Sequence, residues 1–484
     1  MKQSAFLSEP KLKGKGVFIG ALFAILTGWL TVTLGIVLPV ILLVIALLLP
    51  LVITVFYEPK VGFVVYIIYS FFITFLGREV ADLPFLYGVE IFLFISWLAA
   101  LLHNSKEYNW SFIKSDLCVL GLVWFGITVL ELGNPAGANP LGWFTDGRYP
   151  LLWLLTIPLC MVVFNKSKDL NLFLIIIISI SLLAFLNGMK QLKIGLFPGE
   201  QLFLDSGGYK THVLFGQLRV FSFYPDAGQF GASQAAMCVI ALVLALGPFK
   251  MWKKILCGCA AAFFLYGMLI SGTRGAMFAL ITGILMIVVL NKNIKLTVFV
   301  IGALVLGLVF LKYTYIGQGN SQIRRMRTSL NPEDASFQLR LANQQNLRNY
   351  LSSHPFGGGI GSIGYGGRTY NKGTYLASVP PDSYWVKVWA MYGIVGLIIW
   401  FGIMMYIVGK GCGILWNIKD QGLRYKLTAL HAGAFGIFFC SYGNEVMNNY
   451  PSAVIVYVSW AFVFLGPYLD KKADSQKILN AETF

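Results

Sequence analysis

Residues 17–56, VFIGALFAILTGWLTVTLGIVLPVILLVIALLLPLVITVF, hold no charged side chain over a length roughly twice that needed to cross a bilayer once. The stretch therefore reads as two spans joined by a tight turn near Thr31 to Gly35. Lys2, Lys11, Lys13 and Lys15 precede it, and its length argues against a cleaved signal peptide. Similar apolar runs, each closed by a short polar break, recur to the end of the chain. Spans are predicted near 17–33, 35–56, 60–77, 86–102, 116–132, 149–165, 169–188, 230–247, 255–271, 274–290, 295–312, 388–408, 427–443 and 452–468, an all-α polytopic membrane protein of about fourteen helices.

Composition agrees. A soluble chain of 484 residues would suggest two or three domains, but 57% apolar against 12% charged residues is a membrane composition, so length counts helices here. No stretch is left over for a soluble catalytic domain. Six of the seven cysteines lie in or beside apolar segments and Cys412 lies in a polar break, a pattern with no disulfide framework and no metal site. The formal charge of +16 would suit nucleic acid or a membrane surface, and the positions of the charges decide for the membrane.

With the N-terminus placed in the cytoplasm, lysines gather in the inner breaks: Lys60, Lys106 and Lys114, Lys166 and Lys168, Lys250 to Lys254, Lys292 and Lys295, and Lys410 to Lys426. The C-terminal tail then also lies inside. The same assignment puts Arg78, Arg148, Arg219, Arg274, Arg324, Arg325, Arg327, Arg340, Arg348 and Arg368 outside, leaving only Arg424 within. A lysine point charge suffices to hold a loop in the cytoplasm, whereas the planar fork of arginine suits bidentate contact with phosphate oxygens. Outer arginines could equally pair with acids such as Glu79, Asp146 or Asp205. Two outer connections are long, 189–229 and 313–387, and long structured loops carry function more often than short ones. The chain thus divides into 1–312 with eleven spans and the 189–229 loop, the large outer loop 313–387, and 388–484 with the last three spans and the tail.

Four segments could carry chemistry. Arg219 to Gly231 sets a cation and Asp226 seven residues apart just before a span, to pair with one another or to meet a ligand. Ser271-Gly272-Thr273-Arg274-Gly275-Ala276 joins two spans with almost no loop and fixes Arg274 at the outer boundary, where Ser271 and Thr273 can cap the next helix and an anion can sit on its N-terminus. A charge at that depth is expensive unless partnered, or else snorkels to headgroups. Ser336 to Ser353 reads as a helix with Arg340, Gln344 and Arg348 on one stripe and Leu339, Leu347 and Leu351 on the other side, ended by His354-Pro355-Phe356-Gly357-Gly358-Gly359-Ile360-Gly361. No strand precedes those glycines, so they do not mark a nucleotide site. Finally Pro380-Pro381-Asp382-Ser383-Tyr384-Trp385 leads into a span, with Asp382 either its N-cap or a general base at the outer mouth.

In this order and on one side of the membrane, the Arg219 segment, Ser271 to Ala276, Arg340 to Gly361 and Asp382 to Gly396 resemble the O-antigen ligase and polymerase superfamily. They cover roughly the second half of the chain. The resemblance implies an inverting glycosyltransferase of the bacterial inner membrane, acting at the periplasmic face without metal, nucleotide or other cofactor. Its donor would be an undecaprenyl-diphosphate-linked glycan; its acceptor a growing glycan (polymerase), lipid A core (ligase) or protein. By that likeness Arg219 and Arg274 hold the diphosphate, Asp382 is the catalytic base, and Arg340, Arg348, Asp226 and His354 are candidates for substrate binding. In the ligases a histidine commonly stands where this chain has Asp382, a departure that favours polymerase, and His354 aligns with a separate, turn-forming position. The residues themselves agree in outline: a glycosyl diphosphate already carries a good leaving group, so anion contacts, positioning and a base suffice. A transporter of the same lipid-linked glycan would also need a cationic cavity, though repeated halves and midplane charges are expected there.

Overall fold

The computed structural model describes residues 25, 28–29, 37–80, 85–102, 108–137, 139–214, 216–319, 321–328, 331, 333, 335–380 and 383–482. The span expected at 17–33 lies almost wholly outside them, as does Asp382. Among the described residues the secondary structure is helical except for one antiparallel ribbon, Val213–Leu214 with Gln217–Leu218. The long helices are α1 Val37–Tyr57, α2 Pro59–Glu79, α3 Tyr87–Leu102, α4 Asp116–Leu130, α5 Pro140–Val163, α6 Ser167–Lys193, α7 Ala227–Leu246, α8 Met251–Ile270, α9 Arg274–Leu290, α10 Ile294–Tyr313, α11 Ala335–Leu351, α12 Tyr384–Asn417, α13 Gln421–Cys440 and α14 Ser452–Glu482. Eight described helices are long and apolar enough to cross a membrane, and four further apolar ones are shorter. This is the polytopic all-α class expected, with the tally of about fourteen crossings left as a reading of hydropathy.

The centre of the bundle is built from α7 and α14, each with 83% of its apolar window enclosed by protein. The reason in α7 is side-chain size: Ala227, Gly228, Gly231, Ala232, Ser233, Ala235 and Ala236 let neighbouring backbones approach, the usual basis of helix packing where lipid removes the hydrophobic drive. A Cβ on Gly231 would collide with Ser271 Oγ and Ala276 Cβ at the α8–α9 corner. Large rings then fill the spaces around α14, where Trp460 packs near Trp153 and Phe462 near Phe164 and Phe173.

The lysine and arginine ends of the bundle are held differently. At one end Lys60 pairs with Asp169, Lys410 with Asp116, and Lys292 donates to the Trp416 carbonyl. At the other, Arg78 donates to the Ser222 and Pro225 carbonyls and lies 4.4 and 4.6 Å from the Phe203 and Phe221 rings, fastening the 194–226 connection onto α2. Glu200, fully buried, accepts from Lys190 and Gln191 and locks the same connection to α6.

Two of the helix starts that differ from the hydropathy reading bear on the site. α5 begins at Pro140 behind an Asn139 cap, nine residues before the expected span, because Asp146 and Arg148 lie on the helix rather than in a break. α12 begins at Tyr384 under Ser383, whose Oγ accepts the Val386 N–H, four residues before the expected span. α12 is also interrupted at Gly393, where φ is +65°. The turn after α11 fills that interruption: Gly358 and Gly359 N–H groups donate to the Ala390 and Met391 carbonyls, and Val395 N–H to that of Pro355. A Cβ on Gly393 would collide with the Pro355 carbonyl, and one on Gly361 with Gly142 of α5. The glycines are there for backbone contact.

Candidate functional site

The arginine end of the bundle opens into a cavity of about 1120 Å³. Its walls come from α3, α5, the N-terminus of α7, α11, the short helix Gly364–Tyr370, the first turn of α12, and the turn between α13 and α14. Five cations line it, Arg148, Arg219, Arg340, Arg368 and Lys387, against four carboxylates, Glu90, Asp146, Asp226 and Glu445.

Arg219 is fixed before any ligand arrives. Its Nη1 donates to the Thr211 carbonyl at 2.8 Å, Nη2 to Thr273 Oγ1 at 2.9 Å and Nε to the Ser271 carbonyl at 3.3 Å. A guanidinium carries five N–H groups, so two remain for the cavity. Burial pulls Arg219 below its ordinary value; nearby Asp226 opposes that and nearby Arg274 adds to it. Arg219 and Arg325 flank the Gly272 corner, 3.5 and 3.2 Å from where a Cβ there would stand. Arg274 is half-buried at the first position of α9, and Arg340 Nη1 lies 4.0 Å from a Cβ built on Gly443. Thr273 does not cap α9 with its side chain as expected, because its hydroxyl donates to the Ala227 carbonyl and accepts from Arg219 instead; Ser271 Oγ takes the Thr273 N–H. Asp226 caps α7 by accepting the Gln229 N–H at 2.9 Å and keeps a face in the cavity. Beside it, burial holds the His212 imidazole below its ordinary value, and its Nε2 accepts the Ala227 N–H at 3.3 Å.

Across the cavity, Lys387 Nζ sits between Asp146 Oδ1 at 3.0 Å and Glu445 Oε2 at 3.2 Å. Lys387 and Asp146 are each only 6% exposed. Arg148 pairs with Glu90 at 3.8 Å in the same wall. Asp146 Oδ2, Glu90 Oε2 and Arg148 Nε are buried there without a hydrogen-bond partner. Unmet polar atoms of that kind cost stability unless something else satisfies them.

Of the residues singled out in the sequence, Arg219, Asp226 and Arg340 meet in this cavity, with Arg274 close behind Arg219. Arg348 is exposed outside the lining, and His354 stacks on Tyr350 at 4.8 Å and bonds its carbonyl, closing the α11 turn. Asp382 falls outside the described residues. Lys387, Asp146, Glu445 and His212 were not singled out as site residues. Lys387 had the clearest signal, a lysine at the very edge of an apolar segment on the arginine side, where a bare charge is costly.

These features define a polytopic helical membrane protein with one polar, arginine-rich cavity at an end of its bundle. Residues 259–401, under a third of the chain, match the family model described as O-antigen ligase, which supports the O-antigen ligase/polymerase superfamily. The match runs from within α8 to within α12 and includes Arg274, Arg340, Arg368 and Lys387. No curated protein matches the chain.

Proposed function

We propose that the protein is a metal-independent inverting glycosyltransferase of the bacterial inner membrane, which moves a glycan from undecaprenyl diphosphate to an acceptor hydroxyl at the periplasmic face during surface polysaccharide synthesis. The observation that carries the reading is the convergence of Arg219, Arg340 and neighbouring Arg274 on one cavity within a chain carrying the O-antigen ligase match. The acceptor oxygen bonds to the anomeric carbon as the bond to the diphosphate breaks. The arginines take up the charge of the departing undecaprenyl diphosphate, a role a metal ion fills elsewhere. Asp382 receives the hydroxyl proton. An aspartate where the ligases commonly carry histidine favours glycan polymerisation over ligation to lipid A core or transfer to protein.

The test is transfer from purified undecaprenyl-diphosphate glycan by the detergent-solubilised protein with chelator present. Transfer that resists chelator and falls at least about a hundredfold in Arg219→Ala, Arg274→Ala and Asp382→Ala is expected, on the scale of losing one transition-state charge contact. A product ladder without added acceptor identifies a polymerase. The interruption of α12 at Gly393 favours a second reading, a transporter of the same lipid, since broken helices recur in transporters. Movement of the lipid-linked glycan across liposomes without transfer would establish it.

A further inference from the structure

We infer that Cys412, Met286 and His431, which meet inside the bundle toward its lysine end, form a three-coordinate site for a monovalent soft metal ion, Cu(I). None of the three lines the arginine cavity, and the site stands apart from the glycan-transfer reading.

Each donor comes from a different helix, Met286 from α9, Cys412 from α12 and His431 from α13. Cys412 Sγ stands 3.6 Å from Met286 Sδ and 3.7 Å from His431 Nε2. Around a three-coordinate ion with bonds of about 2.3 Å to sulfur and 2.0 Å to nitrogen, neighbouring donors are about 3.7–4.0 Å apart, so little movement is needed to admit one. Backbone packing fixes the arrangement. A Cβ on Gly283, one turn before Met286, would stand 3.2 Å from the carbonyl of Ala432, the residue after His431. One on Gly411, next to Cys412, would collide with the His431 ring. Met286 is 5% exposed and His431 1%, while Cys412 is half-buried. No spacing motif announces the set, because its members lie 126 and 19 positions from Cys412.

Packing alone does not account for the histidine. If Nε2 carries the proton it donates to Sγ, and Nδ1 is left as a buried lone pair; if Nδ1 carries it, that N–H is the unmet group, since the Val408 carbonyl beside the ring does not bond it. A buried polar atom left unmet costs stability either way. In the second tautomer Nε2 turns a lone pair to the sulfur, the neutral imidazole that ligates metal ions. Thiolate, thioether and imidazole together select Cu(I). Charge points the same way, for Cu(I) with one thiolate is neutral, whereas Zn(II) would leave a net positive charge in an apolar interior. On binding, the S–H bond breaks, the Cu–S bond forms and the proton leaves to solvent, with no change of oxidation state. Cys118 and Met161 also meet, at 3.9 Å, but their third neighbour is the Ser115 hydroxyl, a poor ligand for a soft ion.

Cu(I) binding is measured on the purified full chain in detergent, without oxygen and with ascorbate, by competition against a chromogenic Cu(I) chelator. Ag(I) is a second, redox-silent probe and Zn(II) the control. One equivalent of Cu(I) is expected, with its affinity lowered at least about a hundredfold in Cys412→Ser, since loss of even an outer-shell partner costs about 10–100-fold. Met286→Leu, a volume-conserving change that keeps the packing, is expected to weaken Cu(I) and Ag(I) at least about tenfold, as is His431→Gln. Cys118→Ser and Cys259→Ser are expected to leave binding unchanged. Wild-type protein that binds no Cu(I), an equivalent that persists in Cys412→Ser, unchanged affinity in Met286→Leu or His431→Gln, or Zn(II) bound as tightly as Cu(I) would each overturn the site.

Discussion

Replacing Lys387 by methionine keeps the length of the side chain and deletes the cation that Asp146 and Glu445 share. At 3.0 and 3.2 Å, each contact is worth about 5 kcal/mol of Coulomb attraction at an effective dielectric near 20, most of it spent on desolvation. The two carboxylates are then left facing one another with no counter-ion between them. Breaking a buried pair by removing one partner costs about 3–5 kcal/mol. Lys387→Met is therefore expected to lower the apparent melting temperature in detergent by roughly 5–10 °C. Adding Asp146→Asn removes one of the stranded charges and is expected to return about half of the loss, a coupling of about 2 kcal/mol. Melting of Lys387→Met at the wild-type temperature, or of the double variant no higher than the single, would refute the assignment of Lys387 as the bridge between α5 and the α13–α14 turn.

Two further outcomes are expected. His212 is held neutral by burial, so its folded-state value lies below the unfolded value of about 6.5. The unfolded segment then binds the proton that the folded one refuses; stability is fully present above about pH 6.5 and is lost as pH falls below it. Amide exchange over residues 209–227, corrected for intrinsic rates, should accelerate at pH 5.5 relative to 7.5, and His212→Gln should abolish the difference. Gly393→Ala places a Cβ against the Pro355 carbonyl at φ +65° and should cost about 3 kcal/mol or more, seen as loss of monodisperse protein. Gly402→Ala, with nothing within 4 Å of the added carbon in the same helix, should be neutral or slightly stabilising.

Hydropathy located the helices well because the bilayer demands long apolar runs, and α9 and α10 begin and end within a residue of the expected spans. It failed at α5, where Asp146 and Arg148 interrupt the apolar window yet stand on the helix and face the cavity. A window average treats polarity as an exit from the membrane and has no means of recognising a polar side turned inward. Arg219 and Arg340, which line the cavity, were legible as candidates because the planar fork of arginine suits phosphate oxygens, though nothing in the sequence separated them from Arg348, which lies outside the lining. Their partners were not: the Lys387, Asp146 and Glu445 contacts join residues 241 and 58 positions apart or more closely set only in space, and no local pattern announces them. Thr273 shows the same limit, its sequence position fitting a cap while the fold gives its hydroxyl to Arg219 and the Ala227 carbonyl.

The interruption at Gly393 leaves both parts of α12 bonded to the turn that follows α11. Residues Tyr384–Tyr392 are bonded to that turn through the Ala390 and Met391 carbonyls and to the end of α13 through the Tyr384 N–H and the Trp385 ring N–H, while Val395 N–H ties the longer part to the Pro355 carbonyl. The short part is thus clamped between that turn and α13, and it carries Lys387 into the cavity wall.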